Sequence, residues 1–361
     1  MLTILFSVAD VLKEVRDVMR VLFLGAYGDK YDIIGGEIVK NRIIKSYLEK
    51  HYKTKSIDLY WERGNILHYI WNITVGRITK IIKIIIFGLM ADKIVVSRTD
   101  ATYVKLLSFF SCKKKIALFG IGGRVSTLLF EQVNDPSYWN ELHGIYVESE
   151  KMVSEFQSMG VLNAKYVPNF KVVPEYTDTY FKDTKDGLKI FYAGRICIEK
   201  GCDDLIYAVD NLNKKGIKCH LNLYGVVDEK FEIEEYLNEN IEYKGKLNLI
   251  NSFDDYEKLR EEDVFVFPTK WVAEGFAGVL IDAMALGKPI IATRHNVNDQ
   301  IVDEGKTGLL FKTGDIEELE NLIQKFCDNR SLLELYGRES LLKSKNYDVN
   351  RVMKRVFEEW K

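Results

Sequence analysis

Two short, continuous apolar runs rich in β-branched and aromatic residues open the two halves of the chain. The first is Val21-Leu22-Phe23-Leu24, followed by a glycine-containing loop; the second is Lys189-Ile190-Phe191-Tyr192-Ala193, followed by Gly194-Arg195. Runs of this length beside helical patterns predict buried parallel strands. Residues 37–50 then carry helical periodicity, 56–60, 93–96, 115–119 and 144–147 read as strands, and 66–90 reads as a helix. The second half repeats the rhythm, with strands near 189–193, 220–224, 241–244, 263–267, 289–292 and 308–311 and helices between them. Alternating βα units of this size predict an α/β fold whose parallel sheets are covered on both faces. Ligands in such sheets bind beyond the carboxyl ends of the strands. Two such domains facing each other would enclose a central cleft.

A length of 361 residues suits two domains, each with its own core. Pro168-Asn169-Phe170 and the polar stretch after it, which contains Pro174, mark the boundary. The expected organisation is a first Rossmann-like domain over 19–168, a linker over 169–187, a second domain over 188–346 and a terminal helix over 347–361 that crosses back to the first domain. Residues 1–18 read either as an extension ahead of Met19-Arg20-Val21 or as a short surface helix. The opening MLTILFSVA lacks the basic flank and cleavage site of a signal peptide.

Composition narrows the function. Apolar residues make up 47% and charged residues 29%, with a formal net charge of -2, which fits a globular protein and argues against a nucleic-acid partner. No apolar stretch reaches the roughly 18 residues that span a bilayer. The five cysteines form no CxxC pair and no histidine stands at finger spacing from them. Free thiols in a cytoplasmic protein, and no metal site, are the expectation.

The candidate chemistry lies mostly in the second half. Glu274-Gly275-Phe276-Ala277-Gly278-Val279 runs through Asp282 to Gly287-Lys288-Pro289, after a strand ending in Val266-Phe267-Pro268. A helix N-terminus offers free N–H groups and a partial positive charge to an anion. Gly275 and Gly278 would let backbone approach a ligand closely. A carboxylate inside the helix can accept from ribose hydroxyls, as acids do in dinucleotide sites. Upstream, Gly194-Arg195 and Lys200-Gly201 lie between a strand and a helix. Two fixed cations there would stabilise charge building on a phosphate leaving group, arginine bidentately.

These motifs resemble those of retaining glycosyltransferases of family 4, which have the GT-B fold of two Rossmann-like domains. The family's donor motif is a glutamate, seven residues and a second glutamate; here the second acid is Asp282, one methylene shorter. The resemblance implies that Arg195 and Lys200 bind the diphosphate of a nucleotide-sugar. It implies that Glu274 faces the donor sugar, and that Gly194, Gly275, Phe276, Ala277, Gly278, Val279 and Asp282 line the donor. Gly35-Gly36, ahead of a helix, matches a glycine-rich loop that touches phosphate or acceptor; a plain left-handed turn is the bland alternative. Many members carry a histidine near Phe119-Gly120; this chain has Gly122-Gly123-Arg124 there, as a subgroup making bacterial surface polysaccharides does, and the nearest histidine is His143. Arg124 would face the cleft or be an ordinary loop arginine.

The resemblance implies transfer of a sugar from a nucleotide diphosphate-sugar to a sugar or lipid-linked sugar acceptor, without a metal or other cofactor. An epimerase or hydrolase on the same fold, and a non-catalytic partner of another transferase, remain alternatives. The acidic pairs Asp203-Asp204 and Asp254-Asp255 read as solvated helix faces rather than metal ligands. In 66–90, many isoleucines are interleaved with Arg77, Lys80 and Lys83. Such a stretch reads either as a buried domain helix or as a peripheral contact on the inner face of the cytoplasmic membrane.

Overall fold

A computed structural model describes residues 19–358, except 29–34, 61–76, 175, 177, 182–185 and 248–252. The chain divides into two compact units between Val167 and Pro168. The expectations for residues 1–18 and 66–76 lie outside the described residues.

The first unit holds strands β1 (Arg20–Gly25), β2 (Lys53–Asp58), β3 (Lys93–Arg98), β4 (Ile116–Gly120), β5 (Gly144–Val147) and β6 (Ala164–Tyr166). They form one parallel sheet in the order β2-β1-β3-β4-β5-β6. Its helices are α1 (Gly36–His51), α2 (Arg77–Met90), α3 (Thr102–Phe110), α4 (Val125–Gln132), α5 (Pro136–Asn140) and α6 (Glu150–Ser158). Leu22, Leu24, Ile94, Val96 and Leu118 alternate with Phe23, Val95, Ala117 and Phe119, and all are buried, so both faces of the sheet are covered. In α1, Glu37 stands in the first turn and Lys50 and His51 in the last, each matched to the helix dipole. Beneath α1, Lys40 donates to Glu148 at 2.7 Å in a buried ion pair that ties the helix to the end of β5.

Two expectations shift here. The strand expected over 56–60 starts earlier, at Lys53, and β6 was not expected at all. Both are sheet edges, where alternating lysines or a single buried alanine replace an apolar run.

The second unit holds β7 (Leu188–Ala193), β8 (Cys219–Tyr224), β9 (Ile241–Gly245), β10 (Val264–Phe267), β11 (Ile290–Thr293) and β12 (Gly308–Phe311). They too are parallel, in the order β12-β11-β10-β7-β8-β9. Its helices are α7 (Cys202–Lys214), α8 (Phe253–Arg260), α9 (Gly278–Ala285), α10 (Asn298–Ile301), α11 (Ile316–Asp328), α12 (Ser331–Ser344) and α13 (Val349–Glu358). Val173, Tyr176 and Phe181, from the stretch expected to link the domains, pack on this unit's core. Lys171 is anchored there by its backbone, donating to the Tyr347 carbonyl at 3.0 Å and accepting from Val349 at 2.8 Å.

Candidate active site

In the second sheet the strand order reverses between β7 and β10, and the crevice beyond the carboxyl ends of such a pair is the ligand position of doubly wound folds. Arg195 and Lys200 follow β7, and Glu274 follows β10. Tyr192, fully buried, donates its hydroxyl to the Arg195 carbonyl at 2.8 Å and so fixes the turn after Gly194. The exposed Arg195 guanidinium lies 5.0 Å from the centre of the Trp271 ring, and the Lys200 ammonium 5.8 Å from the same ring. An aromatic face holds cations at such distances. Lys200 is ion-paired with Glu274, whose Oε2 also accepts from the Thr269 hydroxyl at 3.1 Å. The three residues expected to do the chemistry are therefore gathered around one tryptophan.

The loops that carry them are held on both sides. Gly201 has φ 68, and a Cβ there would fall 2.1 Å from the Pro268 carbonyl oxygen, so only glycine lets the Lys200 turn lie against the end of β10. Asn296 sits in the left-handed region at φ 50, which asparagine tolerates. Its amide donates to the Trp271 carbonyl at 3.3 Å and the Glu274 carbonyl at 3.0 Å. The Thr293 hydroxyl donates to Thr269 at 2.8 Å. Trp271, Thr269 and Asn296 were not singled out in the sequence; a tryptophan in the loop after a buried strand was the available signal.

The start of α9 is occupied by the chain itself. A Cβ on Gly278 would meet the Lys171 Cε at 2.9 Å, and Asn169 donates to the Phe276 carbonyl at 2.9 Å. The glycine thus makes room for Lys171. Phe276 and Ala277 are buried core residues, and Val279 packs partly on the same core. Asp282 is buried, accepting from Tyr256 at 2.6 Å on Oδ1 and from Lys171 at 2.8 Å on Oδ2. Burial, then the Asp282 charge, pushes the Tyr256 phenol up, so it stays a donor. The acid expected to stand open to a ribose is the centre of an internal node, with two of its roughly four acceptor positions filled.

The acidic pairs correct an expectation. Asp203 and Asp204 are not a solvated face: Lys270 reaches both at 3.1 Å, and Asp204 is buried. Asp255 is likewise buried, paired with Lys258 at 2.7 Å. Among the described residues no group of three or more His, Cys, Asp or Glu is placed to hold a metal ion. Cys197, Cys202 and Cys219 are buried free thiols, and burial pushes Cys202 up to about 12.

In the first unit the order reverses between β1 and β3. Gly35 is extended rather than left-handed, and Gly36 begins α1. A Cβ on either would enter open space. Gly122 and Gly123 form the turn after β4, and Arg124 stands exposed at the start of α4. These two loops follow strands separated by β3. Between them lie polar groups the sequence did not mark: Arg98 bridges Asp100 at 2.7 Å and Glu37 at 3.7 Å, while the buried Ser97 Oγ and Asn41 Oδ1 have no hydrogen-bond partner among the described residues. Burial raises the Glu37 carboxyl despite Arg98.

The sequence profile of the family described as glycosyl transferases group 1 matches residues 179–340. Residues 179–340 form a glycosyl transferases group 1 domain. That domain contains β7 to β12 together with Arg195, Lys200, Glu274 and Asp282; Lys171 reaches it from outside the matched stretch. The capsular polysaccharide biosynthesis glycosyltransferase CapM of Staphylococcus aureus is 30% identical over 173 residues, 47% of this chain and 44% of that protein. The chain spans about half the length of the curated relatives it matches. Among solved structures, HepE of Anabaena in complex with UDP aligns over 95% of this chain and 99% of its own, with a TM-score of 0.68 and 15% identity. Sucrose-phosphate synthase of Thermosynechococcus elongatus aligns over the same shares with a TM-score of 0.70 and 15% identity. The fold is GT-B, with one six-stranded parallel sheet in each unit.

Proposed function

We propose that the protein transfers a sugar from a nucleotide diphosphate-sugar to an acceptor hydroxyl, with retention of configuration, in the synthesis of a bacterial surface polysaccharide. One observation carries this reading: Arg195 and Lys200 stand together over Trp271 at the reversal point of the group 1 domain. An anionic diphosphate fits that position. The matched relative CapM is a capsular polysaccharide transferase, and HepE was solved with UDP, which supports both the pathway class and the donor class.

The chemistry follows from the charges. When the glycosidic bond to the donor breaks, negative charge grows on the β-phosphate. Arg195 can meet it bidentately, and Lys200 can turn from Glu274 to the phosphate. Glu274, still held by Thr269, is left beside the donor sugar, where its carboxylate accepts hydroxyl protons or stabilises developing positive charge. Fixed side-chain cations thus supply what a metal would supply, and the reaction proceeds in EDTA. The acceptor is a sugar or lipid-linked sugar, met in the cytoplasm at the inner face of the membrane.

The test is incubation of the full chain with UDP-, GDP- and dTDP-sugars and carbohydrate acceptors, with the product anomer read by NMR. Transfer with the donor's anomeric configuration, undiminished by EDTA, is the expected result. Turnover of donor alone to an epimer, an inverted product, or loss of activity in EDTA restored by manganese would each refute the corresponding part.

A further inference from the structure

Helix α2, Arg77-Ile78-Thr79-Lys80-Ile81-Ile82-Lys83-Ile84-Ile85-Ile86-Phe87-Gly88-Leu89-Met90, is apolar around most of its circumference, with Arg77, Thr79, Lys80 and Lys83 as its polar positions. A helix of that kind belongs in a core. Here only Ile84 and Gly88 are buried, packed toward Leu107 and Ile94, and they fall on one line of the helix, four residues apart. The opposite line carries Ile78, Ile82, Ile86, Leu89 and Met90, all exposed, Ile78 to 59%. The reading of this segment as a buried domain helix is therefore wrong for its outer face.

The exposed surface continues onto α3. The α2 residue Gly88 lies against Leu107 and Ser111, and Lys115 donates to the Ala91 carbonyl at 3.1 Å, so the carboxyl ends of α2 and α3 are neighbours. At that end α3 presents Phe109, 84% exposed, and Phe110, followed by Cys112 and Lys113-Lys114-Lys115. Apolar patches of this kind on a surface mark a docking site.

Charge decides the occupant. In a chain of net charge -2, helices α2 and α3 contain no aspartate or glutamate and carry Arg77, Lys80, Lys83 and Lys105. Lys80 turns inward to the Asp58 carbonyl at 2.7 Å, whereas Arg77, Lys83, Lys105 and Lys114 are exposed. At the rim Asp92 is paired with Arg20 and Glu141 with Lys113, which leaves the exposed Arg77, Lys83, Lys105 and Lys114 as an excess of positive charge, and an apolar face with such a rim matches the boundary between acyl chains and anionic headgroups. We propose that the outer face of α2, together with Phe109 and Phe110, docks this unit on an anionic lipid bilayer, apolar side chains inserted and lysines among the headgroups. The proposal extends the membrane-side acceptor named above but rests on this surface alone, and its test needs neither donor nor acceptor.

Cys112, the exposed cysteine of the five, offers a reporter beside the patch. The full chain, labelled there with a polarity-sensitive fluorophore, is mixed with vesicles of phosphatidylcholine alone or with about a third phosphatidylglycerol. The expected result is a blue shift and co-sedimentation with the anionic vesicles, at least tenfold weaker in 0.5 M salt (~3 Å screening length at higher salt still, against ~10 Å at 0.1 M). Ile82→Ser/Ile86→Ser and Phe109→Ser are expected to lose binding at least tenfold with unchanged circular dichroism, and Lys83→Glu/Lys114→Glu to lose the preference for anionic lipid. Absence of binding at low salt, or equal binding by the serine variants, would overturn the proposal. So would concentration-dependent dimerisation without lipid that the serine substitutions abolish, since the face would then belong to a second copy of the chain.

Discussion

At the carboxyl ends of β7 and β10, polar groups are joined to one another: Lys200 to Glu274, Glu274 to Thr269, Trp271 to Asn296, and Asp282 to Lys171 and Tyr256. At the corresponding place in the first unit, beyond β1 and β3, Ser97 Oγ and Asn41 Oδ1 are buried without a partner among the described residues, and on the same unit α2 leaves an apolar face uncovered. The sheets share strand number and parallel order, and buried side-chain atoms without a partner among the described residues occur in both units, Asp204 Oδ2 and Asn298 Oδ1 in the second; the difference is that the loops carrying Lys200 and Glu274 are joined by side-chain bonds, whereas the outer face of α2 stands uncovered. The same contrast appears in two apolar helices: α9 is covered on all sides around a paired aspartate, while α2 is covered along one line.

The largest break in this contrast is expected at Lys171. Lys171→Met leaves Asp282 buried with one partner lost, which costs on the order of 3–5 kcal/mol. Urea unfolding is the check; a loss below about 1 kcal/mol would mean that Asp282 relaxes to solvent and that the node does not hold the start of α9.

Next come the cations. Arg195→Ala and Lys200→Ala are each expected to raise the barrier to transfer by roughly 2.7–4 kcal/mol, about a hundred- to a thousandfold in rate. Stability should move by no more than about 0.5 kcal/mol in Arg195→Ala, because Arg195 is exposed, and by more in Lys200→Ala, which leaves the part-buried Glu274 without its ion pair. Steady-state rates at low and saturating donor, beside thermal midpoints, separate the two effects. Wild-type rates in both variants would remove the diphosphate from this site.

A buried acid in the same unit gives a pH signature. Glu262 accepts from Asn222 at 2.9 Å and from Tyr224 at 2.8 Å, and burial raises its carboxyl from the ordinary glutamate range, about 4.3, to about 7. The folded state therefore binds more protons than the unfolded state between these values. The stability this group contributes is complete below the lower value and is lost as pH rises through the upper one. Glu262→Gln removes the titration, so its stability relative to the wild type should climb across that window, by on the order of 3 kcal/mol at most. A difference that stays flat with pH would show that Glu262 titrates normally.

The smallest effect on stability is expected at α2. Ile82→Ser should change unfolding free energy by no more than about 0.5 kcal/mol, since the side chain is exposed. A loss of several kcal/mol would place Ile82 in a core and close the difference between the two helices.

The same contrast governs what could be read in advance. The strands of the second unit lie within a residue or two of their expected positions, because each is a buried apolar run between loops that break it. That Arg195, Lys200 and Glu274 come together near Trp271 was foreshadowed by their places in strand–loop–helix patterns and by the motif resemblance; their role is the proposal above. The strands β2 and β6 were shifted or missed because edges carry lysines and short runs. Periodicity could not show that the outer face of α2 is bare, because a helix with so wide an apolar face reads the same buried or exposed. Nor could charge alone show that Asp203, Asp204 and Asp282 are paired: their partners Lys270 and Lys171 stand 66 or more positions away.

On the proposed function, the reversal point of the group 1 domain binds a nucleoside diphosphate through Arg195 and Lys200. The most direct test is the shift in thermal midpoint on titrating UDP, GDP and dTDP into the wild type and into Arg195→Ala/Lys200→Ala. The account predicts that at least one nucleotide stabilises the wild type, by roughly 2.7 kcal/mol at about a hundred times its Kd. This gain should vanish in the double variant, each protein's shift being measured from its own midpoint without nucleotide. Equal stabilisation of both proteins, or none of either by any of the three nucleotides, would contradict it.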